Sequence, residues 1–375
     1  DYTGAVKLLN EAVKLDPDFA LAHAQLSRAH SNLYWTLKTQ THLNKAKEAV
    51  DKARGVDPDL PEVHLALGHY YYHGHRKDED ALDEFDIVLK AQPSNDEALA
   101  FTCYVQRKQG KVEEALASIR RASEINPVNR TWAMDIPELL IYLKRFSEAA
   151  EACDRAVRLF PGRPHPYRVK AWVCLYRDGN TVEARRVLEE ASKTIESWET
   201  EYVDILATLE VFDRNYDKAL ERLPSTGDVG GPFLPRVLRI ALIHGYMDNA
   251  ELAKKYYEEA RKRYDSGIDE GPEDSKGSGV LGIAYAGLGL REEAKREADL
   301  LEKSMSVNRD AFFNPKVKKL AYVYLLLGDH EKAIDQLYIL LTKGSQWSVP
   351  FVRNDPTWEP LHKYPRFQKL VGLNK

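Results

Sequence analysis

Ala115-Leu116-Ala117-Ser118-Ile119-Arg120-Arg121-Ala122-Ser123-Glu124-Ile125-Asn126-Pro127 is one copy of the pattern that decides the fold. A small residue is followed four positions later by a larger apolar one, three further on by another small one, and twelve after the start by proline. Positions four and seven apart share one face of an α-helix, and proline stops a helix because it lacks the N–H and clashes with the preceding turn. The same interval recurs at Ala5/Pro17, Ala46/Pro58, Ala81/Pro93 and Ala149/Pro161, with Leu9, Val50, Phe85 and Cys153 in the larger position. Alanine is common in helices, but chance does not produce five equal offsets.

The alanine landmark continues at Ala184, Ala219, Ala253, Ala294 and Ala333, with successive spacings of 41, 35, 34, 34, 35, 35, 34, 41 and 39 residues. The underlying period is about 34. A second helical signal precedes each landmark, as in Leu67-Gly68-His69-Tyr70-Tyr71, Leu281-Gly282-Ile283-Ala284-Tyr285 and Leu320-Ala321-Tyr322-Val323-Tyr324. Each unit is therefore a hairpin of two helices crossing at small residues.

On these residues the chain resembles the tetratricopeptide repeat family. The match is strongest between Asp18 and Pro161, where Gly110 occupies the expected turn, as Gly179, Gly289 and Gly328 do later. It weakens between Glu196 and Gly279: the helix after Asn215 stops early at Pro224, and the register at Ala250 and Ala253 reads two ways. The resemblance implies an all-α, right-handed superhelical solenoid of about ten stacked hairpins, the first incomplete, as in a fragment of a longer protein. The expected organisation is an N-terminal array over 1–196, a divergent array over 197–344 continuous with it, and a Pro/aromatic-rich cap over 345–375.

Composition fits a soluble repeat array: 43% of residues are hydrophobic and 30% charged, and no apolar run is long enough for a bilayer. A formal charge of -4 argues against a nucleic-acid footprint. The pairs Arg120-Arg121, Arg185-Arg186 and Lys254-Lys255 read as solvated helix faces. Cys103, Cys153 and Cys174 are too scattered for a disulfide framework and read as buried thiols, which leans towards a cytoplasmic setting and leaves a periplasmic or extracytoplasmic one open.

Three interruptions stand out. Trp35 to His42 lengthens one hairpin by helical turns or a loop. The stretches 224–232 and 265–279 are rich in turn formers and read as surface loops or hinges. From Ser348 to Leu370 prolines break the helical pattern, and Val349, Phe351, Trp358, Leu361, Phe367 and Leu370 would cover the open end of the last hairpin. That ending is similar to repeat regions attached to bacterial kinases, nucleotide cyclases and winged-helix regulators.

Chemistry is sparse. Gly277-Ser278-Gly279-Val280-Leu281-Gly282 satisfies a dinucleotide fingerprint only as a string: no strand precedes it, and Gly282 is explained by helix crossing. No phosphate loop, zinc-protease pair or nucleophile elbow occurs, so the chain is expected to be non-catalytic and without cofactor. His64, His69, His73 and His75 cluster, and His69 with His73 at helical spacing is a weak metal candidate lacking cysteine partners.

Stacked hairpins line a concave surface with their first helices. Helical phase points His69, Tyr72, His73, Tyr104, Arg107, Lys108, Glu138, Tyr142, Arg168, Trp172 and Tyr176 inward. Aromatics mixed with cations suit a protein or peptide partner. The chaperone-carboxylate clamp found in some family members is not reproduced, because Ala100, Tyr104 and Glu138 stand where it would need Lys or Asn. The expected function is a protein-binding scaffold; the alternative is a ligand- or peptide-sensing regulatory module of a larger bacterial signalling protein. The oligomeric state is undetermined by sequence.

Overall fold

The computed structural model describes residues 2–75, 77–196, 198–223, 234–265, 278–307, 315–342 and 345–373, which are helical throughout apart from turns. The chain divides into two compact units, Asp1–Ile136 and Pro137–Lys375. This division falls earlier than position 196, where loop composition placed it.

In the first unit, α1 (Tyr2–Leu15) leads to hairpins α2 (Ala20–Leu37) with α3 (Gln40–Val56), α4 (Pro61–Tyr70) with α5 (Asp78–Ala91), and α6 (Asp96–Lys108) with α7 (Val112–Ile125). The helix α8 (Arg130–Tyr142) runs past the division. The landmark alanines Ala46, Ala81 and Ala115 are fully buried on the second helices, with Val50, Phe85 and Ile119 beside them. Pro17, Pro58, Pro93 and Pro127 each stand just past a helix end. Trp35 to His42 lengthens the helices themselves: α2 runs to Leu37, Lys38 turns with φ 54°, and α3 starts at Gln40. After α4 the chain takes a π-helical turn over Tyr71–His75, a local widening that is often found at functional positions.

The second unit continues with α9 (Phe146–Leu159), α10 (Pro164–Asp178), α11 (Thr181–Ser192), α12 (Trp198–Phe212), α13 (Tyr216–Arg222), α14 (Arg236–Tyr246), α15 (Ala250–Asp265), α16 (Ser278–Gly287), α17 (Arg291–Val307), α18 (Pro315–Leu327) and α19 (His330–Thr342). Ala149, Ala184, Ala219, Ala253, Ala294 and Ala333 are buried, which resolves the register at Ala250/Ala253 in favour of Ala253. The shortened α13 is held by charge: buried Glu210 meets Arg185 and Arg222, each at 3.1 Å. Arg185 therefore works as a structural ion-pair partner rather than as part of a solvated face. The proposed hinges fall almost wholly on 224–233 and 266–277, outside the described residues.

Residues after α19 form α20 (Val349–Asn354), a 3₁₀ turn over Pro356–Leu361 and α21 (Pro365–Leu370). This tail does reach the last hairpin, where His330 Nδ1 and the Tyr364 hydroxyl lie 2.6 Å apart and Arg366 meets Asp335 at 2.7 Å. Its main seat is elsewhere. Trp347, Phe351, Trp358, Leu361, Phe367 and Val371 are buried, and the tail runs over first helices of the second unit as far back as α10. Phe351 packs 5.1 Å from both Tyr176 and Phe212, while Tyr322 packs at 5.3 Å, tilted, against Trp358. Capping of the end hairpin is thus one part of a longer internal contact.

Candidate functional site

The described hairpins turn through one residue of positive φ, except α4–α5, which turns through the π-helical segment Tyr71–His75. Glycine fills that place at 110, 179, 289 and 328, whereas Lys38, Lys144, Arg214 and Asp248 fill it elsewhere. A left-handed conformation costs a side-chain-bearing residue free energy, and at Lys144 and Arg214 in the second unit the side chain makes contacts from there. Lys144 Nζ donates to the carbonyls of Leu341 at 2.7 Å and Trp347 at 2.8 Å. Arg214 donates to the Asn354 carbonyl at 2.9 Å and to Glu359 at 2.5 Å. Between them, Gly179 has no room for a Cβ because the Asn354 amide lies against it. Ser348 Oγ donates to the Tyr176 carbonyl, and the hydroxyls of Tyr246 and Thr357 are 2.7 Å apart.

This accounts for the expected groove residues of the second unit. Trp172 and Tyr176 of α10, stacked at 5.4 Å, are buried, with Phe351 of the tail over Tyr176. Glu138, Tyr142 and Arg168 are half-buried, and His165 lies 3.7 Å from Glu138. A cleft of about 90 Å³ remains under the tail, its walls including Asp204, Arg239, Tyr246, Trp347, Phe351 and Asp355. Arg239 donates to Asp204 at 2.6 Å, and burial raises the Asp355 carboxyl above its usual range.

The first unit brings the other expected residues together on α4, the π-helical turn and α6, with His69, Tyr72 and His73 buried and Tyr104, Arg107 and Lys108 half-buried. Tyr72, His73 and Tyr104 surround Phe101, with ring centroids 5.5, 5.6 and 5.3 Å from it. Lys108 lies 3.8 Å from the Tyr72 ring and Arg107 5.5 Å from the Tyr104 ring, and the Tyr104 hydroxyl donates to Asp135 at 2.8 Å. Helical phase left Trp35 out of the group. It is 46% exposed, stacks 6.3 Å from Tyr72, and has Lys38 Nζ at 3.8 Å over its ring.

Beneath this surface Glu97 ties three first helices. Its carboxylate meets Arg28 of α2, and His69 Nε2 of α4 lies 3.1 Å away. Burial favours protonation of Glu97, but His69 and Arg28 outweigh it and hold the group down at about 2. His69 stays neutral because burial outweighs that carboxylate. His73 is pushed down to about 2 by burial, then by His69, Lys108 and Lys38. His64 is engaged by Glu84 at 2.6 Å, and His75 contributes no described side chain. Among the described residues no three His, Cys, Asp or Glu side chains gather as a metal site, so the weak candidate pair His69 and His73 gains no further ligand.

The three thiols are free and buried, and burial pushes Cys103 up to about 12 and Cys174 to about 11. Gly282 packs where a Cβ would meet Val323 at 3.1 Å and Glu297 at 3.2 Å, as a crossing residue does; Gly277 lies outside the described residues. No described helix is long and apolar enough to cross a membrane.

Residues 104–164 match the family model described as tetratricopeptide repeat. Similar solved structures include a tetratricopeptide repeat protein from Parabacteroides merdae, 15% identical over 72% of this chain and 98% of that one, with TM-score 0.49. Another is PilF of Pseudomonas aeruginosa, 16% identical over 65% of this chain and 95% of that one, TM-score 0.40. A third is YrrB, described as having an unusual peptide-binding site, 19% identical over 50% of this chain and 91% of that one, TM-score 0.38. No curated protein matches.

Proposed function

We propose, from the premise that this chain is built of tetratricopeptide repeats, that it is a non-catalytic scaffold holding a peptide or protein partner on the inner wall of its first unit. One observation carries this reading: Trp35 stays exposed beside half-buried Tyr104, Arg107 and Lys108, with Tyr72 buried behind them, while Trp172 and Tyr176 on α10 of the second unit are buried. Trp, Tyr and Arg are the residues enriched in energetic hot spots. Glu138, Tyr142 and Arg168 are given no part in it.

Selection of displayed random peptides on the whole chain tests the proposal. Binders whose affinity falls at least roughly tenfold with Arg107→Ala/Lys108→Ala support it; binders indifferent to that change overturn it. The half-open cleft under the tail favours a second reading, a sensor of a small ligand for an attached domain, since Asp204, Arg239 and Asp355 converge on its largely apolar walls. Thermal stabilisation by a metabolite, lost in Asp204→Asn, would support that reading.

A further inference from the structure

The second unit exhibits what its inner edge can hold, because residues 347–361 of its own chain lie on it. The grip has two parts: a side chain at the left-handed turn takes carbonyls or a carboxylate, and a ring three residues before a turn packs against an aromatic of the segment. Tyr176 is that ring before Gly179, and Trp35 holds the same place before Lys38. Tyr176 is covered by Phe351. Trp35 is not covered by any comparable segment among the described residues of its unit.

Two further features point the same way. Lys38, Arg107 and Lys108 crowd the rings Trp35, Tyr72 and Tyr104, against the carboxylates Asp78, 3.4 Å from Lys108, and Asp135 under Tyr104. Cations on this face thus stand beside the rings, as Arg214 stands beside the tail in the second unit. Below Trp35, at 5.2 Å between ring centroids, His73 is 7% exposed, and neither ring nitrogen has a hydrogen-bond partner. Leaving a buried donor and acceptor unmet is unfavourable, so a polar group arriving past Trp35 gains what the apo wall lacks.

We infer that the Trp35–Lys38 edge of the first unit binds an acidic, proline-broken segment of a partner protein that carries an aromatic side chain, in the manner of this chain's own tail on the second unit. The tail shows that chemistry: Pro350, Pro356 and Pro360 interrupt it, Phe351 and Trp358 anchor it, and Glu359 answers Arg214. The inference rests on the scaffold reading and names the partner class.

The probe is a fluorescent synthetic peptide copying residues 350–361, titrated by anisotropy into the whole chain, beside the same peptide with Asp355→Asn and Glu359→Gln. Binding of the acidic peptide should weaken roughly tenfold in Trp35→Ala and in Lys38→Ala/Lys108→Ala, and the neutral peptide should bind correspondingly less well. Weakening should also follow added salt. Circular dichroism melts confirm that each variant is folded. Equal binding of the two peptides, no binding of either, or dependence on Arg214 in place of Trp35 would each overturn the inference. Random-peptide binders that need Arg107 and Lys108 but show no acidic or aromatic preference would leave the scaffold standing and remove only this assignment.

Discussion

The two units are built from the same repeat, and an aromatic three residues before a turn ends in a different state in each. In the first, Trp35 stands half in solvent above a buried imidazole; in the second, Tyr176 and Trp172 are buried, with Phe351 of the tail over Tyr176. The hairpin alone does not decide whether a wall is free. What decides it is whether some other stretch of polypeptide brings rings and carbonyls to it, and the left-handed turn side chains mark where that stretch lies.

The comparison can be broken most severely at Trp358, which is fully buried. Trp358→Ala should destabilise the second unit by about 3–5 kcal/mol, read as a lower urea midpoint, and should expose Trp172 to quenchers while the first unit's cysteine Cys103 stays protected. Loss of protection at Cys103 in step with the rest would show that the units do not differ in this way.

Acid should act on the first unit. His73 is held neutral in the fold, with its pKa at about 2, so below the ordinary histidine value near 6.5 the unfolded chain binds the extra proton. Stability then falls as pH drops, by about 1.4 kcal/mol per pH unit for one such group. His30, lowered to about 4, adds in the same direction. Glu97, depressed from 4.5 to about 2, stabilises above its unfolded value and loses that contribution as pH falls from 4.5 towards 2. Melting curves from pH 7 to 4 should show His73→Phe flattening this slope; an unchanged slope would refute the assignment.

Lys144→Ala removes two carbonyl contacts of a half-buried ammonium and should cost about 1–3 kcal/mol. Burial lowers Lys144 to about 8. The unfolded state therefore binds more protons between that value and 10.5, and its unfavourable share of stability shrinks as pH rises through this range. The smallest effect is expected at Trp35→Ala, within about 0.5 kcal/mol of native stability, since nearly half of that side chain is already in water.

Much of this was legible in the residues. The Ala-to-Pro interval located every second helix of the first unit, and Gly110 there, with Gly179, Gly289 and Gly328 in the second unit, marked hairpin turns. Local periodicity reports local structure because helical neighbours are three and four apart. It is silent where partners are distant: Lys144 meets Trp347 and Tyr176 meets Ser348 across 203 and 172 residues, and Arg28 meets Glu97 across 69. Lysine and arginine at left-handed turns carry no turn signature of their own, so Lys38, Lys144 and Arg214 were visible only as charges. Trp35 was hidden in an irregular spacing that read equally well as a loop.

The tail's seat also sets an order of events during synthesis. Tyr176 leaves the ribosome long before Ser348, so α10, α12 and α14 must wait with their apolar faces unmatched while the intervening hairpins are made. The first unit has no such wait, because its deepest tie, Arg28 to Glu97, closes within the hairpins at hand. Chaperone engagement on the nascent chain should therefore concentrate on the second unit and end when residues 347–361 emerge.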